Sequence, residues 1–67
     1  MCLLSIILPC YNESQSIPYL YQKSLYLTAN YDMEIIFVDN GSKDETWQIM
    51  KSFEANDKIR FVNLKKN

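Results

Sequence analysis

The stretch Glu34-Ile35-Ile36-Phe37-Val38-Asp39-Asn40-Gly41-Ser42-Lys43-Asp44-Glu45-Thr46 decides the fold. Positions 35 to 38 are all apolar, the pattern of a strand buried on both faces in a parallel sheet. Asp39 falls where that run stops. Gly41, the only glycine in the sequence, supplies a turn. Ser42 and Glu45 have the spacing of a capping box, in which the Ser oxygen accepts from the third helical N–H and the Glu reaches back. That spacing predicts a helix directly after Ser42. A strand, a carboxylate at its C-terminal end and a capped helix start form the mouth of an α/β crevice.

Upstream, residues 3–8 (LLSIIL) form a second apolar run, and Pro9 ends it too soon for a helix. Residues 9–16 (PCYNESQS) read as a loop. Ser16 is the expected N-cap of a first helix, placing Pro18 at the second helical position, where a missing N–H is harmless. Ile17, Leu20, Tyr21, Ser24, Leu27 and Thr28 then share one side at helical spacing. Asn30, Tyr31 and Asp32 close that helix. Downstream, a second helix is expected over about residues 43–55, with Thr46, Ile49, Met50 and Phe53 buried and Trp47 beside them. Asn56 and Asp57 break it, and residues 59–64 (IRFVNL) give a third strand.

The order βαβαβ predicts an α/β fold, a Rossmann-like three-stranded parallel sheet. Right-handed crossovers put both helices on one face. The other face is then bare, although the first two strands are apolar on both sides. A bare apolar face with open edges invites a partner or aggregation. The expectation is a chain that forms the first part of a larger α/β domain, or one that pairs through this face with itself or with another chain.

Sixty-seven residues allow at most one small domain. Net charge is −1, with basic residues scattered apart from Lys65-Lys66, so no face is basic enough to expect nucleic acid. Cys2 and Cys10, if on one extended segment, lie roughly 26 Å apart, and a disulfide needs Cα atoms within about 7 Å. Two free thiols suit a reducing cytosol. Without histidine and with two cysteines, a zinc site is not expected. No apolar run reaches the roughly 20 residues that span a bilayer, and residues 1–8 lack a basic leader and the length of a signal peptide. The chain is therefore expected in the cytoplasm.

Two loops lie at the C-terminal ends of neighbouring strands, where open parallel sheets bind ligands. The first offers the ring of Tyr11 with Asn12 and Glu13; the second offers Asp39 and Asn40. An aromatic platform with carboxylates suits a nucleoside: Tyr11 stacks on the base, Asp39 accepts from base N–H groups, and Glu13 accepts from ribose hydroxyls. The alternative is local: Asn12 and Glu13 make turn bonds, and Asp39 and Asp44 only stabilise a helix start. There is no GxGxxG or GxxxxGK[ST], and no histidine for a Ser–His pair. Cys10 has no cationic neighbour in sequence to lower its pKa and reads as an inert thiol.

Ser5-Ile6-Ile7-Leu8-Pro9-Cys10-Tyr11-Asn12-Glu13, followed by the stretch from Glu34 to Thr46, resembles the opening of a family 2 glycosyltransferase of GT-A fold. The resemblance covers essentially the whole chain. The start Ser16-Ile17-Pro18 and the ending Phe61-Val62-Asn63-Leu64-Lys65-Lys66-Asn67 look most like the branch of dolichyl- and polyprenyl-phosphate hexose transferases. The resemblance implies a nucleotide-sugar site in which Pro9 and Tyr11 line the nucleotide pocket, Glu13 contacts the ribose and Asp39 the base. Asn12 lies between them, and Asn40 stands where the family often has a second aspartate, keeping a hydrogen-bonding group. Asp44 matches an acidic position that supports the turn.

The resemblance also implies transfer of a hexose from a UDP- or GDP-sugar to an acceptor, a polyprenyl phosphate in this branch, at the cytoplasmic face of a membrane. Residues 1–67 would be the N-terminal nucleotide-binding segment of an incomplete GT-A domain. The family's Asp-x-Asp motif, which holds Mg²⁺ or Mn²⁺ on the diphosphate, does not occur here. No catalytic residue and no metal ligand are therefore assigned within the chain, and the isolated chain is expected to be inactive. Two other readings are a truncated, non-catalytic module that binds nucleotide or self-associates, and a nucleotide-binding regulator of another α/β family.

Overall fold

The computed structural model describes residues 3–64. Cys2, the Lys65-Lys66 pair and Asn67, weighed above, lie outside the described residues. Three strands, β1 (Leu4–Cys10), β2 (Met33–Asp39) and β3 (Ile59–Asn63), alternate with two helices, α1 (Ile17–Asn30) and α2 (Thr46–Ser52). The strands form one parallel sheet in the order β1-β2-β3. Ile6 lies opposite Ile35, Cys10 opposite Asp39, and Phe37 opposite Phe61. The expected α/β, Rossmann-like βαβαβ arrangement is the one observed.

Alternation along β2 divides its side chains between two environments. Met33, Ile35, Phe37 and Asp39 are buried, whereas Glu34, Ile36 and Val38 are half-buried. The buried set meets Ile17 of α1 and Met50 of α2 in one core with Ile59 and Cys10. Both helices therefore cover the same face. Tyr21 of α1 stacks on Phe53, with ring centroids 4.3 Å apart, and Phe37 packs on Phe61 at 5.1 Å. The Tyr21 hydroxyl donates to the Glu54 carbonyl (3.1 Å), tying α1 to the segment after α2. The expected apolar stripes of both helices are the buried or half-buried ones.

The opposite face has no covering element among the described residues. Ile7 is 64% exposed there, and Val62 39%. One end of that face is polar: the Ser5 hydroxyl and Arg60 both donate to Glu34, the Arg60 contact at 2.7 Å. These bonds, that of Ser5 foremost, hold the Glu34 carboxyl below its ordinary range.

Two elements differ from expectation by more than a residue. β1 continues through Pro9 and Cys10 instead of yielding to a loop at Pro9. An edge strand is paired on one side only, so it accepts proline. The second helix is much shorter than residues 43–55: it starts late, since Ser42 does not cap it, and it ends at Ser52, where Phe53 turns to extended backbone. Its N-cap position is Glu45, with no side-chain cap bond. Ser16 does hold the N-cap position of α1, with Pro18 in the first turn as expected, but its hydroxyl makes no cap bond.

Candidate functional site

The loops after β1 and β2 meet at the C-terminal edge of the sheet, as strand order requires of neighbouring parallel strands. Two residues there have left-handed backbone, Gly41 (φ 76°) and Asn12 (φ 52°). Glycine adopts that region freely, and asparagine is one of the few other residues that tolerate it. Each turn is thus made by a residue suited to it.

The loops are stitched together by reciprocal backbone-to-side-chain bonds. The Asn12 N–H donates to the Ser42 hydroxyl (2.8 Å), and the Glu13 N–H to the Thr46 hydroxyl (2.8 Å). In return, the Lys43 N–H donates to the Asn12 side-chain carbonyl (2.8 Å), with the Asp44 N–H further off (3.4 Å). A backbone bond from Asn40 N–H to the Cys10 carbonyl (3.4 Å) joins the strand ends. Ser42 therefore bonds across to the other loop, and this is why the capping box is absent. The Thr46 N–H is instead taken by Asp44 Oδ1 (2.9 Å), which also accepts from the Thr46 hydroxyl. Thr46 hydrogen bonding, its hydroxyl foremost, keeps the Asp44 carboxyl below its ordinary range.

The residues singled out from the sequence are brought together, but in different surroundings. Tyr11 is 53% exposed and borders an open depression of ≈ 520 Å³ with Asn40, Gly41 and Lys43. Asp39 is only 1% exposed, and its Oδ1 accepts from the Ser42 N–H (3.0 Å). It borders a second depression of ≈ 380 Å³, whose lining includes Lys43, Asp44, Trp47 and Asn63. Pro9 and Glu13 are exposed on β1 and the loop after it. The Glu13 carbonyl receives the Ser16 and Ile17 N–H groups and so turns the loop into α1.

Cys10 is buried and its thiol points to the Leu8 carbonyl (3.4 Å). Burial raises its pKa, and the charges of Glu13 and Asp39 raise it further. A thiol held protonated is a poor nucleophile, which agrees with the inert reading. Sequence reasoning passed over Lys43, the cation lining both depressions, because it reads as the first residue of a helix. Ser42 reads as a helix cap and Thr46 as helix, and no local pattern marks their long-range partners. Among the described residues, no group of three or more His, Cys, Asp or Glu comes together to hold a metal ion. No helix among them is long and apolar enough to cross a membrane.

Comparison with known proteins gives this edge a family context. An uncharacterized glycosyltransferase from Synechocystis is 37% identical over 96% of this chain, which covers 21% of that protein. Human dolichyl-phosphate beta-glucosyltransferase is 34% identical over 96% of the chain, covering 23% of the human protein. A prophage bactoprenol glucosyl transferase homolog of Escherichia coli is 31% identical over 84% of the chain and 19% of its own length. The chain thus spans about a fifth of the length of these relatives. A family model described as glycosyl transferase family 2 matches residues 5–67. With both motif loops inside the matched region, the chain belongs to glycosyl transferase family 2.

Proposed function

We propose that this chain supplies the donor nucleotide-sugar site of a glycosyltransferase that moves a hexose from UDP- or GDP-sugar to a polyprenyl phosphate. The observation that carries the reading is the cleft at the C-terminal sheet edge. There an exposed aromatic ring (Tyr11) and a deeply set carboxylate (Asp39) flank one turn, and Lys43 lines both depressions. Tyr11 stacks on the base against Pro9, and Asp39 accepts base N–H groups from below. Glu13 accepts from the ribose, Asn40 completes the polar rim, and Asn12 holds the turn beside it. The Lys43 ammonium offsets diphosphate charge. The acceptor phosphate is already ionised and attacks the anomeric carbon as the nucleoside diphosphate leaves.

In this proposal residues 1–67 are the N-terminal nucleotide-binding segment of a GT-A domain. The acceptor site and the ligands of Mg²⁺ or Mn²⁺ come from outside the described residues. The reaction takes place at the cytoplasmic face of a membrane, and the names of the lipid-phosphate glucosyltransferase relatives support that acceptor class. The test is calorimetric titration of UDP and GDP into the chain and its Tyr11→Ala variant. Base–aromatic stacking is worth about 1–3 kcal/mol, so Tyr11→Ala is expected to weaken binding by roughly 5- to 150-fold. Equal affinities would remove Tyr11 from the site.

The exposed Ile7 and Val62 favour a second role for the helix-free face, pairing with a copy of the chain. Sedimentation at rising concentration is expected to show dimer; a monomer throughout would sink self-pairing.

A further inference from the structure

We infer that Asn12 is a positioning residue that makes the two loops one site, acting on the donor through the Lys43–Asp44 backbone and not by direct contact. The inference rests on the donor-site reading for its functional consequence. Its structural basis stands alone.

Among the described residues, Asn12 alone bonds the opposite loop through both its backbone and its side chain. Its N–H donates to Ser42 Oγ (2.8 Å), and its side-chain carbonyl receives the N–H groups of Lys43 and, more distantly, Asp44. Those N–H groups belong to the turn between β2 and α2, ahead of the helix N-cap at Glu45. No intrahelical carbonyl is available to them, and Asn12 Oδ1 serves as their acceptor in place of solvent. A left-handed backbone at Asn12 (φ 52°) accompanies this arrangement. The residue therefore needs a short side chain with a carbonyl oxygen and a tolerance of positive φ. Asparagine and aspartate meet both demands, and glycine only the second.

The consequence falls on the donor site. Lys43 is the cation bordering both depressions, and its backbone is held by Asn12. Tyr11, adjacent to Asn12, borders the same depression as Lys43. Releasing the Asn12 carbonyl loosens the Lys43–Asp44 backbone against the loop that carries the ring, while the bonds from Asn12 N–H to Ser42, Glu13 N–H to Thr46 and Asn40 N–H to the Cys10 carbonyl remain. The Lys43 side of the pocket is then held less firmly against the Tyr11 side, although no group that touches nucleoside has been removed.

The test uses Asn12→Gly and Asn12→Asp, both compatible with the backbone. Probes are uridine and guanosine, which carry no phosphate for an added carboxylate to repel. Two readouts are followed by NMR: the amide resonances and exchange rates of Lys43 and Asp44, and nucleoside affinity. Asn12→Gly is expected to move both amides, speed their exchange and weaken binding about tenfold, as loss of one to two hydrogen bonds implies. Asn12→Asp keeps the acceptor oxygen and is expected to restore both properties to within about threefold of wild type.

Unchanged Lys43 and Asp44 amides in Asn12→Gly would overturn the inference. So would an Asn12→Asp variant with native amides that binds as poorly as Asn12→Gly, because the side-chain NH₂ would then contact the nucleoside directly. A wild-type chain that binds neither probe, with the amide responses as expected, would refute the donor-site reading and support the joining of the loops. If Asn12→Gly fails to fold, Ser42→Ala removes the reciprocal bond from the other loop. It is expected to shift the Asn12 amide and weaken binding, and an unmoved Asn12 amide would again overturn the inference.

Discussion

Phe37→Ala is expected to abolish cooperative folding of the chain at 25 °C. Phe37 is fully buried on the central strand and packed on Phe61, whose ring also lies near Tyr21 of the Tyr21–Phe53 stack. Truncating such a ring costs about 3–5 kcal/mol through lost transfer energy and an unfilled cavity. A domain of this size has roughly 3–10 kcal/mol in total, and small domains lie toward the lower end because they bury less of their surface. The loss therefore removes most of the stability. Urea unfolding followed by circular dichroism checks it, with Ile36→Ala as comparison. Ile36 is the next residue along the strand but points to the helix-free face and is half-buried. Its truncation is expected to cost about 1–2 kcal/mol, since a half-exposed side chain forfeits less burial. Equal losses at the two positions would contradict a core confined to one face.

Asp39→Asn is expected to leave the fold standing and weaken nucleotide binding by roughly 10- to 100-fold, the value of a hydrogen bond to a charged acceptor. The Asp39 side chain already accepts from the Ser42 N–H through one oxygen. An asparagine keeps an oxygen for that bond, so the turn is retained. It replaces the other oxygen with NH₂, which meets base N–H groups donor to donor. Asp39→Ala would confound the result by leaving a buried Ser42 N–H without its acceptor. Calorimetric titration with UDP and GDP, alongside thermal unfolding, separates the two effects. Native affinity in a folded Asp39→Asn protein would show that Asp39 serves only the turn.

The fold was legible because apolar periodicity and strand-ending loops are local properties of the chain. The runs 3–8 and 35–38 announced strands, and the stripes from Ile17 to Thr28 and from Thr46 to Phe53 announced the faces of two helices. The bare sheet face was legible as well, since Ile7, Ile36 and Val38 are apolar where a two-layer fold offers no cover. The start of the second helix was not. Ser42 and Glu45 have the right spacing for a cap, but Ser42 is taken by Asn12, thirty residues away in sequence. A local motif lost to a long-range bond that only the assembled sheet creates. Pro9 misled for a related reason, because whether a strand tolerates proline depends on its place in the sheet.

The candidate site divides in the same way. That Tyr11, Glu13, Asp39 and Asn40 would gather at one edge followed from the parallel topology. How deeply each would sit did not follow. Asp39 falls on the helix-covered face by strand alternation and is buried, whereas Tyr11 stands exposed on the loop. Asn12 read as a group for ligand, yet its carbonyl faces the neighbouring loop. Lys43 read as helix and lies at the cleft.

Residues from both loops forming one nucleotide site should respond together to a single ligand. Titration of UDP and GDP into the ¹⁵N-labelled wild-type chain, read amide by amide, checks this. Resonances of residues 10–13 and 39–44 are expected to move together and saturate with a single Kd, while those around Leu25 and Lys58 at the far end of the sheet stay still. Absence of any shift, or shifts confined to one loop or to the far end, would contradict it.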